Sequence, residues 1–249
     1  MKTAILGASL ITMLAAAAPG SAEPRPVAAA VGPAVSTYAR AVADPLRSAE
    51  HRAFDESRRP GDVLAFAQIK RGETVADFGA GSGYYSELIA SAVGPTGQVI
   101  ALTPPKYYKP EGWTKLRAAH ANVNLIVSDN ADLAPRSVDA IFSHLVFHDL
   151  FVPGSDPRPV LANWYAAVKP GGRVIIADHR GPAGDTSAIA GTLHRIDPAA
   201  ATAAMVGAGF VADGSSTALQ RSEDDQARNV FDPEIRGKTD RFILLFRRP

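Results

Sequence analysis

The sequence predicts an α/β fold: a mostly parallel sheet with helices on both faces and an antiparallel hairpin at the C-terminal end. Three observations carry this. Short β-branched apolar runs alternate with amphipathic stretches from Thr74 to Val206, the pattern of parallel strands joined by right-handed helical crossovers. The first run, Thr74-Val75-Ala76-Asp77-Phe78, enters a turn with glycine at 79, 81 and 83 and then an amphipathic segment. The last two apolar runs have only a loop between them, which makes them antiparallel neighbours.

Each element follows from local chemistry. Residues 37–57 carry helical spacing in Tyr38, Val42, Leu46 and Phe54, interrupted at Pro45, whose ring cannot continue a helix. Pro60 opens a second helix over 61–69, where its missing N–H costs little. Strand one spans 74–77 and a helix spans 85–93. Gly94-Pro95-Thr96-Gly97 is turn chemistry, and strand two follows at 98–102. A helix over 111–121 leads to strand three at 123–127. Strand four is 139–143, and a helix over 157–168 is stopped by Lys169-Pro170-Gly171-Gly172 before strand five at 173–177. Asp197 reads as an N-cap with Pro198 at the first helical position, opening a helix to about 206. Strands six and seven, from 210 and over 241–246, form the hairpin.

Composition and charge bound the partners. The 249 residues are 46% apolar and 20% charged, with 26 basic against 25 acidic side chains. A near-neutral chain presents no overall field for nucleic acid or an anionic membrane. Residues 1–22 read as an export signal: Lys2, an apolar stretch from Ala4 to Ala18, and Gly20-Ser21-Ala22 before Glu23. The apolar run is shorter than the ~20 residues a membrane span needs. A periplasmic or secreted location is expected, with retention at the inner membrane by an uncleaved signal as the alternative. Residues 23–35 are a Pro/Ala-rich linker, and 36–249 form one domain with an N-terminal helical segment over 36–69. With no cysteine there is no disulfide, thiolate nucleophile or cysteine metal site.

The turn after strand one has the form D-x-G-x-G-x-G. Glycine removes the Cβ that would keep a ligand off the backbone, and the following helix N-terminus offers free N–H groups. A dinucleotide fingerprint needs G-x-G-x-x-G, but position 84 is Tyr; Tyr84 and the terminal hairpin both argue against a nicotinamide oxidoreductase. The turn resembles motif I of the class I S-adenosylmethionine (SAM) methyltransferases. Val168-Lys169-Pro170-Gly171-Gly172-Arg173 resembles the turn before their fifth strand, and Val138-Asp139-Ala140-Ile141-Phe142-Ser143 resembles their fourth. The similarity runs from about Pro60 to the C-terminus. It is closer still to an uncharacterised bacterial branch described as predicted methyltransferases, in Phe147-His148-Asp149-Leu150, Thr192-Leu193-His194-Arg195-Ile196-Asp197 and the stretch from Phe231 to Phe242.

The resemblance implies a Rossmann-like seven-stranded methyltransferase sheet, SAM as cofactor and a small-molecule substrate. Asp77, Gly79, Ala80, Gly81 and Gly83 would cradle the methionine end, Thr103 would lie near the ribose, and Asp129 near the adenine. One departure stands out. The family usually ends strand two with an acid that accepts from both ribose hydroxyls, and this chain has Thr103. A neutral hydroxyl in place of a charged acceptor weakens the contact by about 1 kcal/mol, roughly five- to tenfold. An exported protein on the same scaffold with weakened or lost SAM binding, acting as a small-molecule binding protein or another enzyme, is therefore the competing reading.

Candidates for chemistry lie beyond the C-terminal strand ends, where open α/β sheets bind ligands. His148 and Asp149 follow strand four and are assigned as catalytic, either as base or in orienting the acceptor. His179 and His194 are expected to converge with His148 over one pocket, as substrate contacts. Arg236 and Lys238, on the loop before strand seven, offer cations to an anionic acceptor. Three histidines and a carboxylate suit a metal, but the only local metal spacing is His144-x-x-x-His148, so no metal ligand is assigned. Asp197 is explained as a cap, and Trp113 and Trp164 as core.

Overall fold

A computed structural model of the protein describes residues 34–129 and 132–249. The expected signal sequence and nearly all of the expected linker lie outside the described residues, as do Asn130 and Ala131. Among the described residues no helix is long and apolar enough to cross a membrane.

Seven strands form one sheet in the order β3-β2-β1-β4-β5-β7-β6. They are β1 (Thr74–Phe78), β2 (Gln98–Thr103), β3 (Val123–Val127), β4 (Val138–His144), β5 (Val168–His179), β6 (Val211–Ser216) and β7 (Arg241–Arg247). The first five are parallel, and β7 inserts antiparallel between β5 and β6. The order reverses at β1, which pairs with β2 on one side and β4 on the other. That switch point is where an open sheet leaves a crevice.

The central strands are buried on both faces, as parallel strands covered by helices must be. Side chains alternate between two cores. Val75, Phe142 and Ile175 meet Leu88 and Ile89 of α5 (Tyr84–Val93) and Trp113 of α6 (Pro110–Ala119). Ile141, Val174 and Phe246 meet Trp164 of α7 (Arg158–Ala167) and Met205 of α9 (Pro198–Gly207). Asp197 caps α9 as expected, its carboxylate accepting from the Ala199 N–H.

Two local expectations are corrected. The Lys169-Pro170-Gly171-Gly172 turn lies within β5: Val168 pairs with Val138, and the register shifts before Ala140 meets Arg173. A Cβ at Gly172 would stand 2.8 Å from the Asp139 carbonyl, so only glycine fits this bulge. The sequence also hides a helix, α8 (Thr186–Leu193), capped by Asp185. Its Gly191 breaks the apolar pattern because a Cβ there would lie 2.5 Å from Pro153. α8 ends at His194 in the left-handed conformation, φ 54°.

The N-terminal segment is four short helices: α1 (Ala34–Val42), α2 (Ala49–Arg52), α3 (Asp55–Arg58) and α4 (Pro60–Ala67). Their clamp is Arg47, buried at 4% exposure. It donates to both Asp55 oxygens at 2.8 and 2.7 Å and to Glu87 of α5 at 3.0 Å. This ties α3 to the helix after the glycine turn and brings Arg58 to the sheet's C-terminal edge. On the opposite side, Arg195 is fully buried and binds Asp224 at 2.7 and 3.1 Å and the Arg228 carbonyl at 3.0 Å, stapling the long loop before β7.

Candidate active site

A cleft of about 300 Å³ opens over the C-terminal ends of β1 and β4, at the small end of the range for small-molecule sites. Its floor is the glycine turn, residues 79–82. Arg58, Tyr84, Tyr85, Tyr107, His144, His148, Asp149, His194 and Phe231 complete the lining, with the Tyr85 and His144 rings packed together at 4.5 Å.

The three glycines share positive φ, at 70°, 57° and 90°, yet do different work. A Cβ on Gly79 would lie 2.5 Å from Val146, and one on Gly83 would lie 2.4 Å from Leu116 and 3.1 Å from Trp113. Both positions are glycine for packing. A Cβ on Gly81 would meet nothing closer than 3.9 Å. Gly81 alone leaves its missing side chain as open space, and it lines the cleft. Among the described residues, the Gly81 and Ser82 N–H groups have no hydrogen-bond acceptor. The Gly81 carbonyl is pinned from behind by the Trp113 indole N–H at 3.1 Å and the Thr103 hydroxyl at 3.2 Å.

That last contact fixes where Thr103 stands. Its side chain is fully buried and its hydroxyl is committed to the turn; it is not among the cleft-lining residues. Asp129 is exposed at the end of β3, beside the undescribed residues, and also stands outside the lining. Arg236 and Lys238 are exposed on the far loop, with the Lys238 ammonium on the Glu234 carbonyl at 3.4 Å, because that loop turns outward once Ile235 is buried. Asp77, Gly79, Ala80, Gly81, His148, Asp149 and His194 do come together in the cleft.

The cleft separates charges. Asp77 is buried and accepts from the Ser86 hydroxyl at 2.6 Å; burial pushes its carboxyl up to about 6. Arg58 lies over the Tyr84 ring at 4.3 Å and the Phe54 ring at 4.7 Å, a cation–π arrangement. Among the described residues no carboxylate pairs with it, and burial lowers its pKa.

The cleft also holds a dyad across neighbouring strands. His148 sits in the 3-10 turn Phe147–Phe151 after β4, and Asp178 near the end of β5. The His148 Nδ1 lies 2.9 Å from Asp178 Oδ1, and the His148 backbone N–H donates to Oδ2 at 2.8 Å. The ionised Asp178 is acceptor-only, so Nδ1 carries the proton and Nε2 faces the cleft with its lone pair, 3.4 Å from Asp149 Oδ1. Burial opposes the imidazolium, but the Asp178 carboxylate outweighs it, and the His148 pKa is raised. Burial likewise works against ionised Asp178, and the charge and hydrogen bonds of His148 overcome it.

His194 and His179 flank this dyad unequally. The His194 ring stands edge-on to His148 at 5.5 Å, with Nδ1 3.8 Å from Asp149 Oδ1. His179 is buried 6.1 Å from His148 and bonded through Nδ1 to the Thr239 hydroxyl at 2.8 Å. Burial drops its pKa to about 3, so it is a neutral packing residue behind the dyad and not a cleft contact. His144 lines the cleft with its buried Nε2 unpaired, and burial holds its pKa well below normal. Sequence reasoning assigned no site role to Asp178, Arg58 or Tyr107. Asp178 was signalled by its place at the end of a strand beside strand four; nothing in the sequence signalled Arg58.

Residues 76–176 match the family model described as a methyltransferase domain. An arsenite methyltransferase of Halobacterium salinarum is 35% identical over 121 residues, covering 47% of this chain and 30% of that protein. A protein-L-isoaspartate O-methyltransferase of Aeropyrum pernix is 32% identical over 119 residues, covering 47% and 42%. The chain spans less than half the length of these curated relatives. A solved SAM-dependent methyltransferase from Aquifex aeolicus superposes with a TM-score of 0.59 at 19% identity, covering 86% of this chain and 98% of that one; at this identity the likeness speaks for the fold. The sheet order is that of the solved SAM-dependent methyltransferase fold, and the stretch from β1 to β5, with the glycine turn at the switch point, is the part that matches a methyltransferase domain.

Proposed function

We propose that this protein transfers the methyl group of SAM to a small molecule held against His148, Asp149 and His194. The observation that carries the proposal is Gly81: an open, positively twisted backbone position with unused N–H groups, in the same cleft as the His148–Asp178 dyad. The residues fit the cofactor. The amides of Gly81 and Ser82 and the unpaired Arg58 suit its carboxylate, and Asp77 suits its ammonium. When bound, SAM supplies an activated methyl on a sulfonium, so alignment of the acceptor is most of what the protein must add.

The chain supplies that alignment from rigid elements. Asp178 fixes the His148 tautomer through Nδ1 and its backbone through the N–H, leaving the Nε2 lone pair directed into the cleft. Asp149 and His194 limit where that group sits. Tyr84 and Tyr85, both buried, add rigid aromatic surface to the same lining.

The test is SAH (S-adenosylhomocysteine) formation. Mature protein is incubated with SAM and pooled small-molecule extracts, and SAH is followed by mass spectrometry. SAH is expected above the acceptor-free control and is lost in His148→Ala. No extract-dependent SAH, with SAM bound, would contradict the proposal.

The second reading, a methyltransferase-fold binding protein without turnover, is favoured by Thr103, whose hydroxyl is spent on Gly81. Export is part of the proposal, resting on residues 1–22. Fractionation that finds the chain in the cytosol would refute it, and finding it in the inner membrane would favour an uncleaved signal.

A further inference from the structure

We infer that His148, Asp149 and His194 form a binding site for one divalent transition-metal ion, through which the acceptor is held. This rests on the reading of the cleft as the acceptor's site and specifies its chemistry. The three side chains offer ligand atoms all within 4.8 Å of one another. Asp149 Oδ1 is 3.4 Å from His148 Nε2 and 3.8 Å from His194 Nδ1. Ligands about 2.1 Å from a shared ion stand roughly 3–4 Å apart, so the Asp149 separations need little movement. Asp149 and His194 are only half-buried and can adjust.

Two independent features point to a ligand set. The first is the Asp178–His148 hydrogen bond: a fully buried carboxylate on Nδ1 presents Nε2 outward, the outer-shell arrangement that orients metal-binding imidazoles. The second is His194, a non-glycine residue held at φ 54°. This left-handed residue caps the C-terminus of α8, its N–H on the Ala190 carbonyl. Its ring is turned towards His148, backed by Phe231 at 4.9 Å.

Two imidazoles and one carboxylate, with no thiolate, suit zinc, iron(II), cobalt or manganese and leave coordination positions open. Those positions face the cleft. The acceptor class is then a small molecule with a hydroxyl or thiol that binds the metal. Coordination would lower the pKa of that group, and its proton leaves to water. The resulting oxygen or sulfur anion attacks the sulfonium methyl, forming the new bond while the C–S pair returns to sulfur as SAH.

Full-length mature protein, stripped with chelator, is titrated with zinc by calorimetry and with cobalt by visible absorption. One zinc per chain is expected at micromolar affinity or tighter. His194→Gly, which also relieves the positive φ, and Asp149→Ala should each weaken zinc at least 100-fold. Asp178→Asn should weaken it 10- to 100-fold. Circular dichroism confirms folding of each variant. Zinc affinity weaker than millimolar, or unchanged in the two ligand variants, overturns the inference. SAH is titrated in parallel without metal, so failure of the cofactor site and failure of the metal site are read separately.

Discussion

Alanine at Gly81 and at Gly83 should separate ligand approach from packing. At Gly81 the new Cβ meets nothing within 3.9 Å, so the folded protein suffers only left-handed strain at φ 57°, about 1–2 kcal/mol. For a domain of this size that is roughly a 2–8 °C fall in melting temperature. The same methyl occupies the space above two free amides. Losing two backbone hydrogen bonds at about 1 kcal/mol each weakens SAH roughly 10- to 100-fold. At Gly83 the Cβ would stand 2.4 Å from Leu116 and 3.1 Å from Trp113. Leu116 can rotate, but Trp113 is buried and anchored to the Gly81 carbonyl. Overpacking of about 1–3 kcal/mol adds to strain at φ 90°, giving about 2–5 kcal/mol. Calorimetry with SAH and thermal melts in one buffer resolve the pair. Wild-type SAH affinity in Gly81→Ala, or a wild-type melt for Gly83→Ala, would refute this division of labour.

Two further perturbations test the charges. Asp77 is raised from 3.8 to about 6 by burial, so the fold holds its proton more tightly than the unfolded chain does. That stabilisation is complete below pH 3.8 and lost as pH rises through 6, leaving a cost on the order of 3 kcal/mol near neutrality. Asp77→Asn should therefore melt above wild type at pH 7.5, converge with it near pH 4, and bind SAH more weakly; a stability difference that does not vary with pH would contradict this. Arg47→Ala strands Glu87 in a buried site and should cost about 3–5 kcal/mol and weaken SAH by loosening Arg58. Arg59→Ala, at a half-exposed pair, should change stability by less than about 1 kcal/mol. Equal melting temperatures for the two variants would show that the N-terminal helices are not clamped as described.

The strands were legible because a buried parallel sheet writes itself as apolar runs, and all seven lie within a few residues of expectation. α8 was not, because Gly191 answers to Pro153, 38 positions earlier in sequence. The site divides in the same way. His148 and Asp149 follow a strand end directly, so sequence position found them. Asp178 reaches His148 only because β4 and β5 are parallel neighbours, with Ser143 beside Ile176 and His144 beside Ala177. Arg58 arrives through the Arg47 clamp, a contact between side chains far apart in the chain. That the Thr103 hydroxyl bonds the Gly81 carbonyl and that Gly83 packs on Leu116 and Trp113 could not be read from the motif, because both depend on how α6 packs behind the turn.

The most direct measurement is the calorimetric titration of the wild-type protein with SAH, repeated on Gly81→Val. One site per chain with micromolar affinity is expected for wild type, with no measurable heat for the variant at matched foldedness. No binding by folded wild-type protein at millimolar SAH, or equal binding by the variant, would contradict a cofactor seated on the Gly81 backbone.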